Sequence, residues 1–141
     1  MIAYVDSSAL LRVLLGQEGR IGAFEEIERP IASKLLRPEC LRALIRCRGT
    51  GLLSEEEYLK ALDQLYRALD SIELIPISDP VLDRAGAPFA VLLGTFDAIH
   101  LASALRWREQ QGLSPVIFTH DQDLGKGAKA LDFEVLGCSS I

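Results

Sequence analysis

Two spacings of apolar residues alternate along this chain: short runs of consecutive β-prone residues, and longer stretches with an apolar position every three or four residues. The first run, Ile2–Val5, ends at Asp6, after which Ser7–Leu15 takes on helical spacing and stops near Gly16. Gly19–Arg29 predicts a second, amphipathic helix carrying Ile21, Phe24 and Ile27, and Ile31–Ser33 a short strand. Pro38, suited to the first position of a helix, predicts one running through Leu41, Leu44 and Ile45 to Gly49 or Gly51, with Glu39 in its first turn. Ser54 followed by Glu57 is a capping box that opens a helix through Tyr58, Leu62, Leu65 and Leu69. Glu73–Ile77 reads as a strand, and Asp79 as the cap of a helix with Pro80 at its first position. With Thr95 as N-cap, a helix follows from Phe96 to about Gln111, closed by Gly112. Pro115–Thr119 is a strand of buried type, a helix spans Leu124–Leu131, and Phe133–Leu136 is the last strand.

Short apolar strands separated by long helical crossovers predict a parallel α/β sheet covered by helices on both faces. In such sheets ligands bind outside the carboxyl ends of the strands. Asp6 and Asp121 directly follow strands, while Glu39 and Asp97 open helices, so all four acids are expected at that one edge. Each also has a purely structural account as a helix cap or a first-turn acid facing the helix dipole.

Length and composition narrow the setting. At 141 residues, 49% of them apolar and 25% charged, the chain is expected to form one domain with a real core. Fifteen basic against twenty acidic residues give a net charge of −5, which excludes a polyanion-binding surface spread over the whole molecule, so any nucleic-acid contact must be local. Cys40, Cys47 and Cys138 form no Cys-x-x-Cys pair, which argues against a disulfide framework and a structural zinc site and suits core filling in a reducing cytosol. The longest apolar stretch, around Phe89–Leu93, is far short of the roughly 20 residues that cross a bilayer. A cytoplasmic protein with no membrane partner is expected.

Four converging carboxylates repel one another unless a cation intervenes. Hard oxygen donors with little histidine suit Mg²⁺ or Mn²⁺, one ion or two, and such ions serve the hydrolysis of phosphodiesters. A haloacid-dehalogenase-like phosphoryl-aspartate site would need a second Asp two residues after Asp6, where this chain has Ser8.

The motifs themselves resemble those of PIN-domain ribonucleases, specifically the small VapC-type toxins of toxin–antitoxin pairs. Tyr4-Val5-Asp6-Ser7-Ser8 is similar to the opening strand with its metal-binding Asp, and Pro38-Glu39-Cys40-Leu41-Arg42 to the helix that carries the family's Glu. Asp97-Ala98-Ile99-His100-Leu101-Ala102 resembles the signature Asp-Ala-x-His-Leu-Ala, and Thr119-His120-Asp121-Gln122-Asp123-Leu124 the closing Thr-x-Asp-x-x-Leu. The resemblance implies a PIN-like three-layer sandwich with a short, mostly parallel sheet, residues 1–141 forming a single domain. It also implies an Mg²⁺- or Mn²⁺-dependent endoribonuclease, usually dimeric, restrained by a cognate antitoxin. Asp6, Glu39, Asp97 and Asp121 would be the catalytic metal ligands, with Asp123 able to replace or join Asp121. Ser8, His100 and Thr119 would orient ligands or substrate, although Ser8 also reads as a first-turn cap and His100 as a packed, hydrogen-bonded side chain. Arg42 and Arg46, three and seven residues after Glu39, would meet RNA phosphates or pair with surface acids. Leu11, Leu14, Ile21 and Phe24 are expected to leave apolar surface for the antitoxin. The competing reading is a non-catalytic PIN fold whose acidic pocket serves only a protein partner.

Overall fold

Strands β1 (Ile2–Val5), β2 (Arg29–Ser33), β3 (Glu73–Ile75), β4 (Val116–Phe118) and β5 (Val135–Leu136) form a sheet of order β3-β2-β1-β4-β5 in the computed structural model, which describes residues 1–139 and 141. Every neighbouring pair is parallel. Parallel neighbours need long crossovers, and these are α1 (Ser7–Leu14), α2 (Leu36–Gly49), α3 (Glu55–Ser71), α4 (Asp79–Ala85), α5 (Thr95–Gln111) and α6 (Gln122–Ala130).

β1 lies at the centre, and its side chains alternate between two cores. Ala3 and Val5 pack with Leu10, Leu36, Leu44 and Leu65 of α1, α2 and α3. Tyr4 packs on the other face with Leu101, Leu105, Trp107 and Leu124 of α5 and α6. The result is the expected sandwich of helices, sheet and helices. α5 is buried continuously from Ala98 to Leu105, because the sheet covers one side and α4 and α6 the others. Its small residues, Ala98, Ala102, Ser103 and Ala104, permit that close packing.

The predicted helix over Gly19–Arg29 is instead a single 3-10 turn, Gly22–Glu26. Sheet pairing overrides the amphipathic pattern: Arg29 and Pro30 are drawn into β2 in register with Ile2 and Ala3, and the extended backbone leading there leaves room for one turn. Three starts also shift. α2 begins at Leu36, so Pro38 sits at its third position, where an N–H would lack a helical partner anyway. Gly94 rather than Thr95 occupies the cap of α5, and Ser78 rather than Asp79 that of α4. β3 stops at Ile75, and β5 is only Val135–Leu136. The capping box at Ser54 forms in full, with Glu57 N–H donating to Ser54 Oγ at 3.1 Å and Ser54 N–H to Glu57 Oε1 at 2.9 Å. The apolar residues expected to stay uncovered mostly do not: Ile21 is buried, Phe24 packs edge-on against Phe118, and Leu11 and Leu14 are partly buried on the same core.

Gly137, just past β5, has φ 106°, and a Cβ there would collide with the carbonyl oxygen of Thr119. Only glycine lets this turn press against the end of β4. Gly137→Ala is therefore expected to cost about 2 kcal/mol or more, the sum of backbone strain and displaced packing. A thermal melt that matches the parent chain would show that the turn relaxes freely.

Candidate active site

The chain runs outward from β1 to β2 and β3, then returns to place β4 on the other side of β1, so the strand order reverses between β1 and β4. A crevice at the carboxyl ends of these two strands is the usual ligand position in such sheets. Asp6 follows β1 and Asp121 follows β4 there, and Glu39 and Asp97 enter from the first turns of α2 and α5.

Asp6 stands at the N-cap position of α1 yet makes no capping bond with its side chain. Its Oδ2 instead accepts from Ser8 Oγ at 2.6 Å and Thr119 Oγ1 at 2.8 Å. Those hydroxyls in turn accept backbone N–H groups from the segment after β4: His120 N–H donates to Ser8 at 2.9 Å and Asp121 N–H to Thr119 at 3.0 Å. The two strand ends are thereby tied together, and a carboxylate that is 4% exposed has a satisfied oxygen.

Glu39 is held from the other side. His100, 1% exposed, bridges Glu39 Oε1 through Nε2 at 2.6 Å and the Tyr4 hydroxyl through Nδ1 at 2.6 Å, and the Tyr4 oxygen accepts Ser33 N–H at 3.1 Å. His100 Nε2 also lies 3.6 Å from Asp6 Oδ1. Among the described residues, Asp6, Glu39 and His100 form a group whose ligand atoms all fall within 4.8 Å of one another. Burial pulls the His100 imidazole down, but the bond to Glu39 and the charges of Asp6, Glu39 and Asp97 outweigh it, so the ring titrates above its usual value.

Asp97 carries the clearest electrostatic signature. Its carboxyl is pushed up to about 6, first by burial and then by the charges of Asp121, Asp6 and Glu39, with His100 opposing. Cys40, buried beside Glu39, has its thiol pushed up to about 12 by burial and by the same two charges, Glu39 and Asp6, which leaves it an inert core thiol.

Asp121 is a genuine cap, Oδ1 accepting Leu124 N–H at 3.0 Å. Asp123, in the first turn of α6, is exposed and makes no hydrogen bond or ion pair among the described residues. A common pattern results: among the described residues Asp6, Glu39 and Asp121 each hydrogen-bond through one oxygen and not through the other, which for Asp6 lies 3.6 Å from His100 Nε2, while Asp97 hydrogen-bonds through neither. An oxygen-rich set with oriented carboxylates and one carboxyl raised by burial and by the charges around it fits a hard divalent cation.

Arg42 and Arg46 do not join the cluster. They line an adjoining cleft together with Glu39 and Phe96. Two residues near the site had no role assigned from sequence, Tyr4 and Phe96. Tyr4 could have been singled out as the one polar-tipped side chain in β1, on the strand face opposite Ala3 and Val5. Phe96 reads in sequence as part of an apolar helix face, and only its exposure of 61% separates it from the core.

The sequence matches the PIN domain family over residues 3–130. It is 30% identical over 139 residues to Ribonuclease VapC46 of Mycobacterium tuberculosis strain H37Rv, covering 96% of this chain and 97% of that protein. Ribonuclease VapC47 from the CDC 1551 strain is 27% identical over 137 residues, with 92% of each chain covered. A toxin–antitoxin complex from Klebsiella pneumoniae is similar in structure with TM-score 0.62 at 21% identity, covering 86% of this chain and 88% of that one. PAE2754 from Pyrobaculum aerophilum superposes with TM-score 0.60, also at 21% identity, over 95% of this chain and 83% of its own.

Proposed function

This chain belongs to the PIN-domain family, in its VapC-type branch, and on that premise we propose that it is an Mg²⁺- or Mn²⁺-dependent endoribonuclease serving as the toxin of a toxin–antitoxin pair. The observation that supports this reading is the close group of Asp6, Glu39 and His100 at the β1–β4 crevice, with Asp97 near enough that, beside burial, the charges of Asp121, Asp6 and Glu39 push its carboxyl up to about 6.

Asp6, Glu39 and Asp97 would hold the cation, with the open oxygen of Asp121 as a further donor. A bound divalent ion supplies an activated water and charge neutralisation for cleavage of a phosphodiester. The chain's own residues do the rest. Ser8 and Thr119 fix the rotamer of Asp6, so that Oδ1 faces the cluster without the cost of ordering it. His100 holds Glu39 through one nitrogen, and Tyr4 holds His100 through the other, tying α2 to β1 and α5. His100 accordingly acts on Glu39 rather than as a ligand.

The partners in this reading are an RNA substrate and a cognate antitoxin protein, with the toxin acting as a homodimer in a single PIN-like domain. A site that is negative without its cation suits a guanidinium from the antitoxin, which can pair bidentately with these carboxylates. Digestion of labelled RNA with Mg²⁺, with Mn²⁺ and with chelator tests the activity. Cleavage in both metals and none in chelator is expected, and metal-independent cleavage, or none at all, would overturn the reading.

The fourth acid can be separated from its neighbour. Asp121→Asn keeps a good cap but removes the charge, so stability should hold while cleavage falls; Asp121→Ala should lose in addition about 1 kcal/mol of helix capping. Asp123→Asn should leave cleavage unchanged and lower the melting temperature only slightly, through the lost interaction of a first-turn charge with the helix dipole. Parallel melts and cleavage assays decide this, and a loss of activity confined to Asp123→Asn would transfer the role to that residue.

A further inference from the structure

We propose that the cleft beside the carboxylate cluster binds the base of an unpaired ribonucleotide, with Phe96 as its stacking platform and Arg42 and Arg46 holding the adjacent phosphates. The proposal rests on the ribonuclease reading and names how that site takes its substrate.

Phe96 and Glu39 line two neighbouring depressions. One contains Gly94, Thr95 and Asp97 and is the mouth of the acidic cluster. The other, about 390 Å³, is floored by apolar side chains of α1 and α2, including Leu11 and Ala43, and bordered by Arg42 and Arg46. A substrate seated across this shared wall would have its scissile phosphate on the acidic side and a neighbouring nucleotide on the apolar side. The volume falls within the range of small-ligand sites, and its chemistry divides as a nucleotide does, into a flat apolar body and an anionic backbone.

Among the described residues the two guanidinium groups are unengaged. Of the arginines on α2, Arg37 lies over the Tyr66 ring, and Arg48 lies over Tyr58 and pairs with Glu55. Arg42 and Arg46 are exposed and have neither an ion pair nor a ring partner among the described residues. In a chain of net charge −5, these unpaired cations beside an acidic cluster are local anion contacts. Phe96 is 61% exposed one residue before Asp97, with no aromatic partner among the described residues. A large ring left in water at that place gains by covering a base, and stacking accepts any base, so the cleft favours single-stranded RNA over duplex.

The test compares steady-state cleavage of a short single-stranded RNA by wild type, Phe96→Leu and Phe96→Trp, with a second RNA carrying abasic sites around the scissile bond. Phe96→Leu should raise KM about tenfold with kcat little changed, Phe96→Trp should restore it, and abasic RNA should erase the difference between wild type and Phe96→Leu. Arg42→Gln and Arg46→Gln should each weaken RNA binding and reduce its salt dependence by about one counterion. Unchanged KM in Phe96→Leu, as it would be if the cleft served a protein partner, or a defect that persists on abasic RNA, overturns the proposal while leaving the ribonuclease reading in place. Wild-type protein that cleaves no RNA with either metal overturns the ribonuclease reading itself.

Discussion

Asp97→Asn should abolish nearly all RNA cleavage and, without metal, make the protein more stable. Both effects come from one carboxyl. Removing a charged donor that keeps both oxygens open forfeits ~4 kcal/mol of transition-state stabilisation, or about a thousandfold in rate. The stability effect follows from its titration at about 6, raised from 3.8. The folded state binds this proton more tightly than the unfolded chain does, so ionising Asp97 works against folding. Its effect is absent below about pH 4, grows as pH rises towards 6, and stays constant above that. Because Asp97 is half-buried, water screens part of the penalty, and a gain of about 1 kcal/mol, or roughly 2–5 °C in Tm, is expected for Asp97→Asn at neutral pH. At pH 4 the two proteins should melt together. Melts in chelator across this range, with cleavage assays on the same preparations, check both halves; an Asp97→Asn protein that cleaves RNA normally, or melts lower at pH 7.5, would contradict the assignment.

Adding Mg²⁺ or Mn²⁺ should stabilise the wild-type protein strongly and the Asp6→Asn variant hardly at all. Whatever binds the folded state alone stabilises it by mass action, about 2.7 kcal/mol at a hundredfold excess over Kd. Asp6 is the most firmly placed donor, with two hydroxyls fixing one oxygen so that the other faces Glu39 and His100. Asp6→Asn halves its capacity as an acceptor and removes the charge. Binding should also weaken below about pH 6, where protons compete for Asp97. Differential scanning fluorimetry with metal titrations at pH 5.5 and 7.5 reads this out, and equal metal-induced shifts in both proteins would place the cation elsewhere.

Runs of consecutive β-prone residues and period-3.6 spacing placed the β1, α1, α2, α3, α5, β4 and α6 elements in the sequence, because a parallel α/β layer buries its strands on both faces and packs each crossover helix against the sheet. The order of those elements put Asp6, Glu39, Asp97 and Asp121 at one edge, since chain direction alone fixes which end of a parallel strand a following residue occupies. Sequence could not decide what each acid does there. Asp6 and Asp121 are both Asp at a strand-to-helix junction, but only Asp121 caps its helix, and Asp6 turns to Ser8 and Thr119 because β4 lies beside β1. The His100 link from Tyr4 to Glu39 joins residues 96 and 61 positions apart and exists only once β1, α2 and α5 are packed. The region before β2 failed for the same reason, local amphipathicity yielding to non-local pairing of Arg29 with Ile2. Local spacing fixes which element forms and which way it points; charge coupling, hydrogen-bond partners and the exposure of Phe96 are sums over neighbours distant in the chain, and only the packed structure supplies them.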